Sequence, residues 1–410
     1  MHNLDSIDII MLALPRWDTP YSSTSYSLAK ELAKSNRVFY IDNPFTVKDF
    51  ITLHSTQYIQ SRKKALLTGR DNYTKVKGAP PNFTVVTSPM TLPINALPIG
   101  KLYSLLSKRN DKIVYCTIKK LIQDFNIREY IFINSFNPLY GKYFLKKLTP
   151  VLSIYQAVDD ISESRYMQKH GPRLETNALR STDITLTTSI ELTRLKSKYA
   201  NNVFYLPNAA DISLFKQVSN PNLAEPSEIL GEKRRIICYI GNLDGRVNYQ
   251  LLKDIALHHQ QKLILLIGPL NSNEFNKYQL DQISNIKFIG AKNISLLPSY
   301  LQKVHCTIIP FKLTTLTKSI YPLKLNEYLA AGKPVITTNF SEEVEKFEPV
   351  VYVAQNNREF TSLINRAIAE DSPAKEQERY NWVAANSWEA RAKEFWKITE
   401  SFLIAKTNGT

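Results

Sequence analysis

Cysteine is scarce in this chain of 410 residues, which contains three: Cys116, Cys238 and Cys306. They are far apart and odd in number, so they offer neither a disulfide framework nor the paired spacing of a zinc site. Low cysteine use of this kind favours a reducing compartment. We therefore expect a cytoplasmic protein with no resident metal.

Long hydrophobic runs and a secretory signal are also missing. No apolar run approaches the roughly 18–20 residues that a membrane-spanning helix needs. The segment before the apolar residues 9–12 carries two acids and lacks the basic cluster with which a signal peptide begins. Apolar and charged residues, at 43% and 22%, are ordinary for a globular protein, and the length is sufficient for two domains with buried cores.

Positive charge is present in excess and is concentrated in one segment. The net charge is +15, and residues 48–147 contain 17 Lys and Arg against 5 Asp and Glu, a local excess of +12. Such a segment attracts nucleic acid, anionic lipid or an acidic substrate. No nucleic-acid motif accompanies it, so we expect no nucleic-acid partner. The interleaved apolar residues suit helices that face a core or touch an anionic membrane surface, and both interpretations stay open.

Short apolar runs alternate with helical patterns along the chain, which predicts an α/β protein with parallel sheets and crossover helices. Residues 44–82 are predicted to be irregular. The pattern indicates two doubly wound Rossmann-like domains, residues 1–210 and 211–385, with a ligand cleft between them and a helical stretch at 386–410. The predicted strands are residues 9–14, 38–41, 83–87, 130–134, 152–157, 184–187 and 203–206 in the first half, and 235–240, 262–267, 286–289, 306–309, 335–338 and 350–353 in the second.

Residues 317–338 form the most informative segment, predicted as a polar loop, a short helix and a buried strand. Pro322 suits the first turn of the helix, where its missing N–H costs nothing. Gly332 can close the helix in a left-handed cap. Unpaired N–H groups at the start of such a helix, together with its positive dipole end, form an anion site.

The charged side chains of this segment fit a nucleoside diphosphate. Lys318 and Lys324 add positive charge near the start of the helix. Glu327 lies about one turn into it, where a carboxylate can accept hydrogen bonds from two neighbouring hydroxyls, as in a ribose. The alternative is an ordinary surface helix with a carboxylate near its N-terminus.

The segment resembles the donor-binding motif of GT-B glycosyltransferases, in the large retaining group that includes bacterial exopolysaccharide and teichuronic-acid transferases. In that group a Glu-x7-Glu motif spans the donor loop and helix; its first Glu approaches the transferred sugar and its second binds the ribose. Glu327 matches the second Glu, whereas Ser319 stands at the position of the first. The resemblance implies that Ser319 lies at the sugar and that Ile320, Tyr321 and Leu323 belong to the donor site with the two lysines.

The loop after residues 235–240 is a second candidate for donor binding. Relatives in the resembling group often place an Arg and a Lys here, both directed at the diphosphate. After Gly241, Asn242 stands at the Arg position, and Arg246 is a candidate substitute. Gly268, in the turn after the next strand, is a candidate to border the base.

Two adjacent carboxylates, Asp159 and Asp160, end a predicted strand, where α/β proteins bind ligands. The resembling group has a His-Asp pair or Val-Asp-Asp here, so either side chain is a catalytic candidate that orients the donor sugar or accepts a proton from the acceptor hydroxyl. The alternative is that Asp160 caps the following helix. Because the two acids are adjacent and no further carboxylate cluster accompanies them, a metal-binding Asp-x-Asp motif is not indicated.

The N-terminal loop supplies candidates for the acceptor side. It lacks the Gly-Gly that many members of the resembling group place beneath the acceptor. Trp17 can stack on a pyranose face, and the hydroxyls of Ser22 and Ser23 can line the same site.

The resemblance implies a hexosyltransferase of GT-B fold, retaining and metal-independent, with no cofactor besides its nucleotide-sugar donor. It also implies that the acceptor binds on the side of residues 1–210, that residues 211–385 bind the nucleotide sugar, and that the helix at 386–410 packs back on the N-terminal domain. A UDP-sugar is favoured over a GDP-sugar. The acceptor is expected to be a glycan or a lipid-linked glycan in cell-surface polysaccharide biosynthesis, and the location the cytoplasm or the inner face of the plasma membrane. A nucleotide-sugar epimerase and a non-catalytic GT-B partner subunit are the alternatives.

Overall fold

The computed structural model describes residues 7–19, 23–164 and 166–408. Its contacts divide the chain into two compact units. The first extends to Leu206 and includes the residues from Ala392 onward, and the second is Pro207–Arg391. The domain boundaries expected from the sequence are residues 210 and 385.

The first unit is built on an eight-stranded sheet in the order β3-β4-β2-β1-β5-β6-β7-β8. Every neighbouring pair is parallel except the short β3 and β4. The central β1 is buried along its whole length, as expected for a strand covered on both faces. The strands are β1 (Asp8–Ala13), β2 (Val38–Ile41), β3 (Tyr73–Thr74), β4 (Phe83–Val86), β5 (Tyr130–Ser135), β6 (Leu152–Ala157), β7 (Ile184–Thr187) and β8 (Val203–Tyr205).

Helices connect these strands. The prediction that residues 44–82 are irregular is wrong in part, because this segment forms three short helices. Two of them begin at threonine caps, Thr46 and Thr56, and none exceeds six residues, which is too short for a helical period to show in the sequence. The helices are α1 (Thr24–Leu32), α2 (Val47–Thr52), α3 (Gln57–Gln60), α4 (Lys63–Thr68), α5 (Lys101–Asp124), α6 (Gly171–Ser181) and α7 (Ile190–Lys196).

The second unit contains a six-stranded sheet in the order β11-β10-β9-β12-β13-β14, and all its pairs are parallel. The strands are β9 (Arg235–Ile240), β10 (Lys262–Ile267), β11 (Ile286–Phe288), β12 (Cys306–Ile309), β13 (Val335–Thr338) and β14 (Tyr352–Ala354). The helices are α8 (Ile212–Phe215), α9 (Tyr249–His258), α10 (Glu274–Lys277), α11 (Leu297–Lys303), α12 (Thr315–Lys318), α13 (Leu323–Ala330), α14 (Glu342–Glu345), α15 (Asn357–Ala369), α16 (Pro373–Ala384) and α17 (Trp388–Asn408), the last of which continues into the first unit.

The strand order of the second sheet fixes where a ligand can bind. From β9 the chain adds β10 and β11 on one side and then crosses to place β12, β13 and β14 on the other. In open α/β sheets such a reversal leaves a crevice at the carboxyl ends of the two central strands, here β9 and β12.

Two parallel-sheet bodies confirm the predicted fold class. Most strands lie within one residue of their predictions, while β14 begins two residues later than predicted, at Tyr352. Gly332, with φ of +67°, ends α13 in the left-handed conformation that the sequence indicates. Over the described part of the chain, no helix is both long and apolar enough to cross a membrane.

Candidate functional site

Helix α13 is fixed against the carboxyl end of β9 by one buried side chain. The Tyr328 hydroxyl accepts a hydrogen bond from the Ile240 N–H at 2.8 Å and donates to the Ile240 carbonyl at 3.2 Å. Because Ile240 is the last residue of β9, its outward backbone groups would otherwise remain unpaired. The helix therefore starts beside the crevice.

The floor of this crevice is bare backbone. Gly241 follows β9 and Gly268 follows β10, and a Cβ on Gly268 would lie 1.9 Å from the Gly241 carbonyl oxygen. A side chain cannot be accommodated at that separation, so glycine is required at position 268. The two strand ends thus meet main chain against main chain. The contact of Gly241 and Gly268 with a donor stays a prediction.

Lys324, in the first turn of α13, extends over this floor. A Cβ on Gly241 would lie 2.2 Å from Lys324 Cε and 2.9 Å from its Nζ. The missing side chain of Gly241 therefore makes room for the lysine, and its ammonium lies at the carboxyl end of β9. Burial lowers the pKa of Lys324, and the Glu327 carboxylate opposes that shift.

Glu327 lies three residues after Lys324, so the two side chains share one face of α13. Burial raises the pKa of Glu327, and the positive charge of Lys324 acts in the opposite direction. Among the described residues, the Glu327 carboxylate accepts no hydrogen bond. A half-buried acid with open acceptor sites, next to a half-buried cation, is suited to a ligand that carries both hydroxyls and negative charge.

The loop after β9 is held on both sides by backbone hydrogen bonds. Leu243 N–H donates to the Pro269 carbonyl at 2.9 Å, and Lys312 N–H donates to the Arg246 carbonyl at 2.8 Å. The Arg246 side chain binds Asp244, with Nε to Oδ1 at 2.9 Å and Nη2 to Oδ2 at 2.7 Å. Its charge is near enough to Lys324 to lower the pKa of that ammonium further.

Asn242 belongs to the same network, since its amide donates to Asp244 Oδ2 at 3.0 Å and its carbonyl oxygen accepts from Asn271 at 2.9 Å. The structure thus places Arg246 and Asn242 in the loop beside Lys324. Their contact with a donor stays a prediction.

The loop before α13 separates into buried and exposed side chains. Ser319 is fully buried and its hydroxyl donates to the Leu316 carbonyl at 2.8 Å. The buried Tyr321 hydroxyl accepts from Asn326 at 3.0 Å. Lys318 is exposed, while Ile320 and Leu323 are half-buried. Both the Ser319 and the Tyr321 side chains therefore face the interior in this structure. The catalytic role of Ser319 and the donor contact of Tyr321 stay predictions.

In the first unit, the paired carboxylates after β6 differ in environment. Asp159 is exposed. Asp160 begins the 3₁₀ helix Ile161–Glu163, and its Oδ1 accepts from the Ser162 N–H at 3.1 Å and the Ser162 hydroxyl at 2.8 Å. This is the capping role that the sequence offered as the alternative to catalysis. In the described ranges no group of three or more His, Cys, Asp or Glu side chains is arranged around a possible metal position.

A buried polar cluster joins the loop after β1 to Asp42 and Arg62, and of its members the sequence analysis named only Trp17. Trp17 N–H donates to Asp42 Oδ1 at 3.1 Å, and Arg62 binds Asp18 at 2.5 Å. Burial raises the pKa of Asp42 to about 7, against the opposing effects of the Trp17 hydrogen bond and the Arg62 charge. Within the described residues, Trp17 Nε1, Asp18 Oδ1 and Asp42 Oδ2 are buried without a hydrogen-bond partner.

Among the predicted acceptor-side residues, Ser23 caps α1 by accepting from the Tyr26 N–H at 3.2 Å. Ser22 lies outside the described residues. Asp42 and Arg62 were missed, although Asp42 directly follows the buried strand β2, which is the position where α/β sheets present polar side chains to ligands.

Comparison with known proteins shows which families and folds this chain is similar to. Residues 234–370 match the family described as Glycosyl transferases group 1. The putative teichuronic acid biosynthesis glycosyltransferase TuaH of Bacillus subtilis (strain 168) is 25% identical over 203 residues, which cover 48% of this chain and 50% of that protein. The matched region thus spans about half the length of this curated relative.

Solved structures match nearly the whole chain. Sucrose-phosphate synthase from Thermosynechococcus elongatus has a TM-score of 0.66 at 14% identity, covering 97% of this chain and 100% of that one. An α,α-trehalose-phosphate synthase (UDP-forming) from Burkholderia vietnamiensis has a TM-score of 0.67 at 11% identity, covering 98% and 100%. An E. coli structure named trehalose-6-phosphate, bound with UDP-2-fluoro glucose, has a TM-score of 0.66 at 11% identity, covering 97% and 99%.

The matched segment 234–370 contains Gly241, Lys324 and Glu327, so the family assignment and the crevice coincide. Residues 234–370 therefore form a glycosyl transferase group 1 domain, in a chain that has the GT-B fold.

Proposed function

We propose that this protein is a glycosyltransferase that moves a sugar from a nucleoside diphosphate sugar to a glycan or lipid-linked acceptor. The observation that carries the proposal is the joint position of Lys324 and Glu327 on one face of α13, above the glycine floor at the carboxyl end of β9. An epimerase would need several carboxylates around the sugar. Of the two carboxylates that act on Lys324, Glu327 and Asp244, the second is bound by Arg246.

In this proposal the donor's diphosphate lies against Lys324 and the N-terminal turn of α13, with Lys318 as a further cation. The hydroxyls of the ribose donate to Glu327, which has acceptor sites open. As the bond from sugar to phosphate breaks, negative charge grows on the leaving diphosphate, and fixed positive charge at that point lowers the barrier. No protein-bound metal is required in this scheme.

The proposed pathway and donor nucleotide are supported by the names of similar proteins. The name of the B. subtilis relative, a teichuronic acid biosynthesis glycosyltransferase, supports a role in cell-surface polysaccharide biosynthesis. The UDP named for two of the similar structures supports a UDP-sugar donor over a GDP-sugar. We further propose retention at the anomeric carbon, a cytoplasmic location, and peripheral contact with the inner face of the plasma membrane, the last on account of the +12 excess in residues 48–147.

A transfer assay tests this function. The protein is incubated with single UDP- and GDP-sugars and with short-chain polyprenyl-linked glycans, and products are identified by mass spectrometry. We expect one sugar added to the acceptor with release of the nucleoside diphosphate. Conversion of the donor sugar without transfer would identify an epimerase, and tight nucleotide binding without either product across the panel would identify a non-catalytic subunit.

A further inference from the structure

Helix α5 exposes a strip of side chains that the proposed sugar transfer does not use. Leu102 and Leu105, in its first two turns, are 59% and 65% exposed. Arg109, Lys112 and Cys116 follow and are also exposed. At about 100° per residue, these five positions fall within roughly 80° of one another around the helix. They form one continuous surface, called here the α5 strip, with leucines first and cations after.

The cationic half of the strip borders a groove of about 750 Å³. The other wall is the turn that follows α4. Within the described residues, Arg109 and Lys112 make no ion pair, whereas Lys120 is paired with Asp124. The groove is lined by four cations, Arg70, Arg109, Lys112 and Lys120, and by Thr68, Gly69, Asn72, Pro89, Ile113, Cys116 and Thr117.

The charge around the strip is one-sided. Helix α5 carries six basic residues and two acids, Asp111 and Asp124. Asp111 is buried, where it accepts hydrogen bonds from the N–H groups of Gly141 and Tyr143 at 3.1 and 2.8 Å. It therefore does not neutralise the exposed cations. One face of α5 therefore presents both the cations Arg109 and Lys112, which would bind an anion, and two exposed leucines, which would be stabilised by an apolar medium.

We propose that the α5 strip docks the first unit on an anionic lipid bilayer. In this arrangement Leu102 and Leu105 enter the boundary between headgroups and acyl chains, and lipid phosphates occupy the groove beside Arg109 and Lys112. This assigns particular residues to the membrane contact included in the proposed function. Docking needs no sugar transfer, so either proposal can fail without the other.

Cys116 provides the probe, because it is exposed on the strip while Cys238 and Cys306 are fully buried. The rate of its modification by a maleimide is measured with vesicles of phosphatidylcholine and phosphatidylglycerol (7:3) and with phosphatidylcholine alone. We expect the mixed vesicles to slow modification at least fivefold at low salt, the effect to vanish at high salt, and phosphatidylcholine to leave the rate unchanged.

Variants assign the effect to the strip. Binding to the mixed vesicles is measured by sedimentation. The double variant Arg109→Gln/Lys112→Gln should bind about 25-fold more weakly than the parent protein, because each cation removed weakens binding by a factor of about five. Leu102→Ser/Leu105→Ser should weaken it at least tenfold. A charge-matched control in the second unit, Lys233→Gln/Lys277→Gln, should stay within twofold of the parent. All these positions are exposed, so thermal melts should coincide.

Three results would overturn the proposal. The first is a modification rate of Cys116 that mixed vesicles do not change at low salt. The second is an equal loss of vesicle binding in the control variant. The third is protection by inorganic phosphate or by a short DNA duplex at the same phosphate concentration, which would assign the groove to a soluble anion or a nucleic acid. Sugar transfer by a protein that ignores vesicles would refute docking alone.

Discussion

Replacement of Glu327 by alanine separates nucleotide binding from folding. In the described structure this carboxylate accepts no hydrogen bond, and burial raises its pKa, which means that its charge is held at a cost to the folded state. Removing it leaves no protein donor unsatisfied. The replacement also removes the charge that compensates the half-buried Lys324 ammonium, so a stabilising and a destabilising effect oppose each other. We therefore expect the free energy of unfolding of Glu327→Ala to stay within about 1 kcal/mol of that of the parent protein.

The affinity of Glu327→Ala for a nucleotide, in contrast, should be lower than that of the parent protein. If Glu327 accepts from two ribose hydroxyls, each hydrogen bond to the charged group contributes about 1.5–3 kcal/mol. The loss of one alone weakens binding by about 10- to 150-fold. The same change should matter little for inorganic pyrophosphate, which has no ribose.

The assay is isothermal titration calorimetry with UDP, GDP and pyrophosphate, together with urea unfolding of each variant. Glu378→Ala is the matched control, because Glu378 is an exposed carboxylate of α16 in the same unit. If Glu327→Ala binds UDP and GDP as the parent does, the ribose role is refuted. If it loses nucleotide affinity and unfolding free energy together, the residue acts through the fold.

Three further predictions follow from the same structure. Lys324→Ala should weaken UDP binding at least about tenfold but uridine binding far less, since in the proposed donor site its ammonium faces the diphosphate; equal losses in calorimetry would contradict this. Gly268→Ala should lose at least about 2 kcal/mol of unfolding free energy in urea, because its Cβ would lie 1.9 Å from a carbonyl oxygen, whereas Gly245→Ala, with no atom within 4 Å, should be nearly neutral. Asp42 has a pKa raised from 3.8 to about 7, so the folded state binds its proton more tightly and stability should fall as pH rises through that window. Between pH 5 and 7 the free energy of unfolding of the parent protein should fall by about 2–3 kcal/mol on account of Asp42, and this fall should be absent in Asp42→Asn. Parallel pH profiles of unfolding free energy for the two proteins would refute the assignment.

Much of the sheet architecture could be predicted because strands buried on both faces read as continuous apolar runs. Residues 38–41 and 262–267 are strands at the predicted positions. The helices α2, α3 and α4 could not be found in the same way. At four to six residues each, they contain too few turns for a hydrophobic period, and they are set by capping and tertiary contacts.

The candidate site was predictable where its chemistry is local in sequence. Lys324 and Glu327 are three residues apart, so one helical pattern relates them. Tyr328 reads from the sequence only as an apolar helix position, since its hydrogen bonds reach a strand 88 residues earlier. The pairing of Arg62 with Asp18 spans 44 residues and was equally invisible, because pairing over such separations is decided by the fold.

The attachment of α13 to β9 through Tyr328 has a consequence for how donor preference can change. Because the helix that carries Lys324 and Glu327 is tied to the sheet itself, the nucleotide would meet a rigid platform that needs little ordering on binding. Exposed side chains of the loop between β12 and α13, such as Leu313, take no part in that attachment, and they can vary without moving the platform. Descendants of such a protein could therefore exchange one transferred sugar for another while keeping the same nucleotide carrier.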